Sequence, residues 1–262
     1  MRRRAIILSY DGGEDNPLPG LQYDVQNYVR YLSMPEAGGW TKSEIRCLDT
    51  VSKEELEKRF DIWRKIEVKY YLIIFTGHGY CSPKGRRYLQ LNGEEDLAVS
   101  EIRELTGNQR TLLIADSCGT VWPPVKQRTM DSINEQKTFS ATDTNYAKLC
   151  RDKYNEKIME TEEGLFVRCY ASTFDQGSVY EPNGIHSVYT HFLLETARDE
   201  IKRRIALREK KKFYPSFGAI PQIHAIAAEK VAFYTEGDQT PTIRMFKGHQ
   251  FPFLVVPRRD SI

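Results

Sequence analysis

The sequence predicts an α/β fold built on a mostly parallel sheet, and three observations predict it. Short apolar runs such as Tyr70 to Phe75 (YYLIIF) and Leu112 to Ala115 (LLIA) read as strands buried on both faces. Stretches of helical period separate them, which is the strand and helix alternation of an α/β domain. Two of the runs end abruptly, one in Thr76-Gly77-His78-Gly79 and the other in Asp116-Ser117-Cys118-Gly119. Ligands bind beyond the carboxyl ends of parallel strands, so adjacent strands of this kind deliver His78 and Cys118 to one lip. Their spacing of 40 positions leaves room for a crossover helix.

In chain order, Ala5 to Leu8 is the first buried strand, and the turn-rich DGGEDNPLPG follows from Asp11 to Gly20. Leu21, Val25, Tyr28, Val29 and Leu32 then form one apolar stripe at helical spacing, with Asp24 at its edge, where a carboxylate needs a reason. Ile45 to Leu48 is a weaker strand. Ser52 with Glu55 is a capping box and Val51 with Leu56 a hydrophobic staple, opening a helix that buries Leu56, Phe60 and Trp63. Tyr88 to Leu91 reads as a hairpin arm, and Ser100 as the cap of a short helix. From Val121 to Glu163 charge rises and periodicity fades, so most of residues 120–163 reads as a flexible insertion. Leu165 to Ala171 is another strand, and helices follow through Tyr189 to Lys212 and Ile223 to Phe233. Phe253 to Val256, bracketed by prolines, reads as a last, edge strand.

Composition narrows the class. The 262 residues suit one domain, 1–262, with 40% apolar residues to fill a core. A formal charge of +2 carries no nucleic-acid footprint. Four apolar residues before Ser9 are too few for a signal peptide, and no run reaches membrane-span length, so a cytoplasmic protein without membrane contact is expected. Five cysteines, an odd number without CxxC pairing, fit a reducing compartment.

For Cys118 taken alone, a buried structural thiol is as good a reading as a nucleophile. His78 with Cys81 has no second pair at zinc spacing, so no metal is expected. Position 124 is Pro, which excludes a Cys-x5-Arg phosphatase loop, and neither GxxxxGK nor GxGxxG occurs. The basic run from Arg198 to Lys212 is broken by Asp199, Glu200 and Glu209 and reads as a solvated helix face.

GHG after one apolar strand and DSCG after the next resemble the caspase-like cysteine peptidases. LPGLQYDVQNYVRYL, YASTFDQGSVYE, GIHSVYTHFL and GDQTP resemble further segments of that clan in order, and Asp-Ser-Cys in place of Gln-Ala-Cys resembles its metacaspase and paracaspase branch. The resemblance implies a three-layer αβα sandwich around a six-stranded sheet. It implies Cys118 as nucleophile, His78 as acid and base, and the backbone N–H groups of Gly79 and Cys118 as oxyanion hole. It implies an acidic primary pocket from Asp24, Asp116 and Glu181, with Asp175 a weaker candidate, hence cleavage of protein substrates after Arg or Lys. It also implies self-cleavage in the basic insertion and no required cofactor, with calcium dependence left open. A separate activator or effector protein is expected, and the chain acts as a monomer or homodimer. The alternative is a caspase-homology module that works by binding or assembly, with proteolysis secondary or absent.

Overall fold

The computed structural model describes residues 1–14, 16–120, 144–180, 186–245 and 250–258. In chain order the elements begin with β1 (Arg3–Tyr10), α1 (Leu21–Ser33), a 3-10 turn (Pro35–Ala37), β2 (Ile45–Asp49), α2 (Lys53–Lys65) and β3 (Tyr70–Gly77). A small-sheet segment of β4 (Gly79–Cys81), β5 (Arg87–Gln90) and β6 (Asp96–Ala98) precedes α3 (Glu101–Leu105) and β7 (Arg110–Asp116). Then come α4 (Thr144–Met159), β8 (Phe166–Tyr170), α5 (Val188–Glu209), β9 (Phe217–Ala219), α6 (Ile220–Tyr234), β10 (Thr242–Arg244) and β11 (Pro252–Val255).

The main sheet has six strands in the order β10-β8-β7-β3-β1-β2. All neighbours run parallel except β10, which is antiparallel to β8. Every residue of β3 and β7 is buried, which explains their unbroken apolar runs. Alternate side chains feed two cores. Ala5, Ile7, Leu72, Ile74, Leu112 and Ile114 pack with α1, α4, α5 and α6 on one face. Ile6, Leu8, Ile73, Phe75, Leu113 and Ala115 pack with α2, α3 and the small sheet on the other. This is the three-layer arrangement expected from the sequence.

Local signals hold where side chains act on their own backbone. Ser52 Oγ accepts the Glu55 N–H at 3.2 Å, and Val51 and Leu56 are buried beside it. Ser100 makes no side-chain cap; Glu101 Oε2 instead accepts the Ala98 N–H at 2.6 Å.

Two expectations are corrected. The last strand, β11, is not an edge of the main sheet but is buried against β9 in a two-stranded sheet of its own, and the two edges of the main sheet are β10 and β2. Part of the expected insertion is a 16-residue helix, α4, whose Cys150, Tyr154 and Ile158 form a single buried line at spacing four; residues 121–143 lie outside the described residues. Near the chain start, Arg3 is fully buried, its guanidinium 4.1 Å from the Trp40 ring and bonded to Gly38 O at 2.6 Å and Asn155 Oδ1 at 2.9 Å. Among the described residues no helix is long and apolar enough to cross a membrane.

Candidate functional site

The pairing of β3 with β7 sets the site. Thr76 is the register partner of Asp116, so His78 and Cys118 each lie two residues beyond a matched pair on adjacent parallel strands. Their chain neighbours touch: a Cβ on Gly79 would stand 2.9 Å from Ser117 Cβ and Oγ, so only glycine lets the two turns close on each other. His78 and Cys118 are both buried, at 8% and 6% exposure.

The His78 ring is oriented by the turn after β1. Asn16 O lies 2.8 Å from Nε2, and because a carbonyl only accepts, Nε2 carries the proton. In the neutral ring Nδ1 is then left as the basic nitrogen. Gly12, at φ +91°, lets this turn press on the ring, since a Cβ there would sit 2.6 Å from His78 Nε2. On the other strand, Cys118 Sγ accepts the Ser178 N–H at 3.3 Å. Gly119 is pinned from both sides, its N–H donating to Gln176 O at 2.7 Å and its O accepting from Asp175 N at 2.8 Å.

Two of the expected pocket carboxylates share one buried region. Asp24 is wholly buried in α1, and both its oxygens accept the Ser187 N–H at 3.1 and 3.3 Å. Asp116 Oδ1 accepts from Ser178 Oγ at 3.0 Å and Oδ2 from Thr190 Oγ1 at 2.6 Å. Burial pushes the Asp116 carboxyl above the usual range, tempered by the hydroxyls of Ser187, Thr190 and Ser178. The buried Tyr180 phenol feels this pair and the sulfur together: it is raised first by burial, then by Asp24, Asp116 and, less, Cys118. It is 3.4 Å from Thr76 Oγ1.

Asp175 is placed apart from that pair. It is exposed on a turn at φ +63° and acts on Cys81, on the side of the small sheet. Glu181 lies outside the described residues. Burial raises the thiols of Cys47, Cys81 and Cys169 and pushes Cys150 up to about 12, which favours their protonated forms. Among the described residues no group of three or more His, Cys, Asp or Glu is arranged to hold a metal ion.

Sequence reading missed Asn16 and Gly12, whose parts are a backbone oxygen and an absent side chain. It missed Ser178, Ser187 and Thr190, which tie the segment after β8 to the two aspartates. It also missed Gln239 in the GDQTP turn, which is fully buried, accepts Val179 N–H at 2.8 Å and donates to Ala171 O at 2.9 Å. Arg87 was missed too. Its guanidinium lies 3.4 Å from Ser117 O and Cys118 O, 2.8 Å from Ser172 O and 4.4 Å from the Tyr170 ring.

A mostly parallel six-stranded sheet in this order, covered by helices on both faces, is the caspase fold. The structure is similar to caspase-1 from Spodoptera frugiperda, with a TM-score of 0.59 and 12% identity over 100% of this chain and 92% of that one. At that identity the likeness establishes the fold. No protein-family model matches the sequence, and no curated protein matches it.

Proposed function

We propose that this protein is a cysteine endopeptidase of the metacaspase and paracaspase kind, in which Cys118 attacks the scissile carbonyl and His78 serves as base and acid. The observation that carries this reading is the β3 and β7 register, which sets both residues two positions beyond one matched pair. His78 Nδ1 takes the thiol proton, the thiolate adds to the carbonyl carbon, and the imidazolium returns the proton to the leaving amine. Water activated by the same nitrogen then hydrolyses the thioester. The N–H groups of Gly79 and Cys118 are the proposed oxyanion donors.

Cleavage after Arg or Lys is the proposed specificity. Two buried carboxylates, Asp24 and Asp116, act with the Cys118 thiol on the one Tyr180 phenol, and a substrate cation supplies the charge that their burial calls for. Glu181 is proposed to join them, and Asp175 to serve the rim. Self-cleavage is proposed at Lys126, Arg128 or Lys137, because Lys148, Arg151, Lys153 and Lys157 are taken up in α4. The proposal includes a cytoplasmic setting, a separate activator or effector protein, no cofactor with calcium still to be tested, and a monomer or a homodimer through β10.

The near closure of the dyad favours a second reading, a caspase-homology module that acts by binding. A fluorogenic peptide panel separates the two. The peptidase reading requires turnover of arginyl or lysyl substrates that is lost in Cys118→Ala; no turnover of any peptide, with or without calcium, selects the binding module. Faster cleavage after Asp than after Arg removes the specificity proposal alone.

A further inference from the structure

Beside the Cys118 turn, toward the small sheet, lies a cavity of about 580 Å³ that neither His78, Cys118, Asp24 nor Asp116 lines. Its walls carry Lys84, Arg86, Arg87, Arg168 and Arg244, and none of its described lining residues is Asp or Glu. In a chain whose cations and anions nearly balance, five cations around one small-molecule-sized cavity are a concentrated field.

The arginines sit where charge repulsion works against the fold. Arg168 and Arg244 are direct partners across the antiparallel β8 and β10 pair, and like charges opposite each other destabilise such a pair. Arg168 Nε is buried with no hydrogen-bond partner among the described residues, and its guanidinium lies 5.0 Å from the Phe166 ring. Burial, and to a smaller degree Arg244, pulls the Arg87 guanidinium below its usual value. Asp175 acts on Cys81 from the exposed turn and does not line the cavity.

We propose that this cavity binds a small molecule carrying two or more phosphate groups. Guanidinium forks match phosphate oxygens in pairs, and several of them converging on one cavity suit a ligand with more than one anionic centre. The ring of Phe174, 47% exposed, lines the same cavity and offers a face on which a base can stack, which favours a nucleotide over free polyphosphate. Arg87 connects this cavity to the dyad, since the guanidinium that lines it also contacts the carbonyls of Ser117, Cys118 and Ser172. A ligand that draws on Arg87 therefore acts on the turn that carries the sulfur.

The test is calorimetric titration of the Cys118→Ala chain with inorganic pyrophosphate and with ADP at fixed salt, so that binding is read without reference to peptidase activity. The expected result is saturable binding that weakens about tenfold or more in Arg168→Gln/Arg244→Gln, with Phe174→Ala weakening ADP and sparing pyrophosphate. Melting without ligand checks that the double variant folds; if it does not, Arg244→Gln and Lys84→Gln are titrated singly, each expected to lose about threefold or more. No saturable binding up to millimolar ligand, or equal affinity in the variants, overturns the proposal. Tighter binding at the same residues by a single-stranded oligonucleotide, or by an acidic peptide copied from residues 129–144, overturns it in favour of those occupants.

Discussion

Thr76 and Asp116 face each other as register partners across β3 and β7, and that single pairing places the imidazole and thiol at one sheet end. Slippage by one residue would send one of the two side chains to the opposite face of the sheet. If the pair works as nucleophile and base, Cys118→Ala and His78→Ala each lower kcat/KM by about a thousandfold or more, and the double variant is scarcely worse than either. Steady-state rates on an arginyl peptide, with circular dichroism to verify folding, measure this. Additive losses in the double variant would contradict a shared step.

The turn after β1 governs how His78 is held. A methyl at position 12 would press on the ring at Nε2, and φ +91° already strains any side chain there. Gly12→Ala is therefore expected to lower kcat by about 10–100-fold with a smaller change in KM, because the ring moves and the specificity carboxylates do not. A change confined to KM would place this turn in substrate binding instead.

Asp116 predicts a pH dependence of known sign. Burial raises its carboxyl, so without a cation the folded chain favours the protonated form and loses stability as pH rises through that raised value. A bound arginine reverses the balance by favouring the carboxylate. KM for an arginyl substrate is thus expected to rise as pH falls through the Asp116 pKa, with a limiting slope of about tenfold per pH unit. In Asp116→Asn that slope disappears and arginyl kcat/KM falls by about 30-fold or more. An unchanged slope in the variant assigns the titration to another group.

What the sequence made legible follows from how each signal is carried. The strands through Ile7, Ile74 and Ile114 and the helices through Tyr28 and Phe60 show as apolar runs or stripes because they are buried on one or both sides. β10 did not show, since three residues reading Thr-Ile-Arg on a sheet edge carry little apolar pattern. α4 did not show because its buried line of Cys150, Tyr154 and Ile158 is one residue wide amid charges. At the candidate site, strand ends and glycines are the signals that single out His78 and Cys118. Asp175 stands only three residues before Ser178, yet the turn between them separates it from Asp116, and distance along the chain carries no sign of side.

The Glu44 pair with Arg151 ties the segment after residue 143 to the first half of the chain. Arg151 Nη2 and Nη1 reach the two Glu44 oxygens at 2.6 and 2.9 Å, and Arg3 Nε reaches one of them at 3.3 Å. Burial pushes the Glu44 carboxyl up, but Arg151 and Arg3 outweigh it and hold it down to about 2. Being depressed on folding, this group contributes stability above its ordinary value near 4.5 and loses it as pH falls toward 2. The shift corresponds to on the order of 3 kcal/mol, and losing the carboxylate would leave Arg3 buried without its counter-charge. Glu44→Gln is expected to lose about that much in urea unfolding at pH 7, with the gap to wild type narrowing steadily from pH 5 downward. The same bond, with β8 paired to β7, predicts that a chain cut between residues 121 and 143 runs as two bands under denaturing conditions and as one species on native size exclusion. Cut Glu44→Gln that separates more readily in urea than cut wild type would show the ion pair holding the halves together; equal separation would leave that task to the sheet alone.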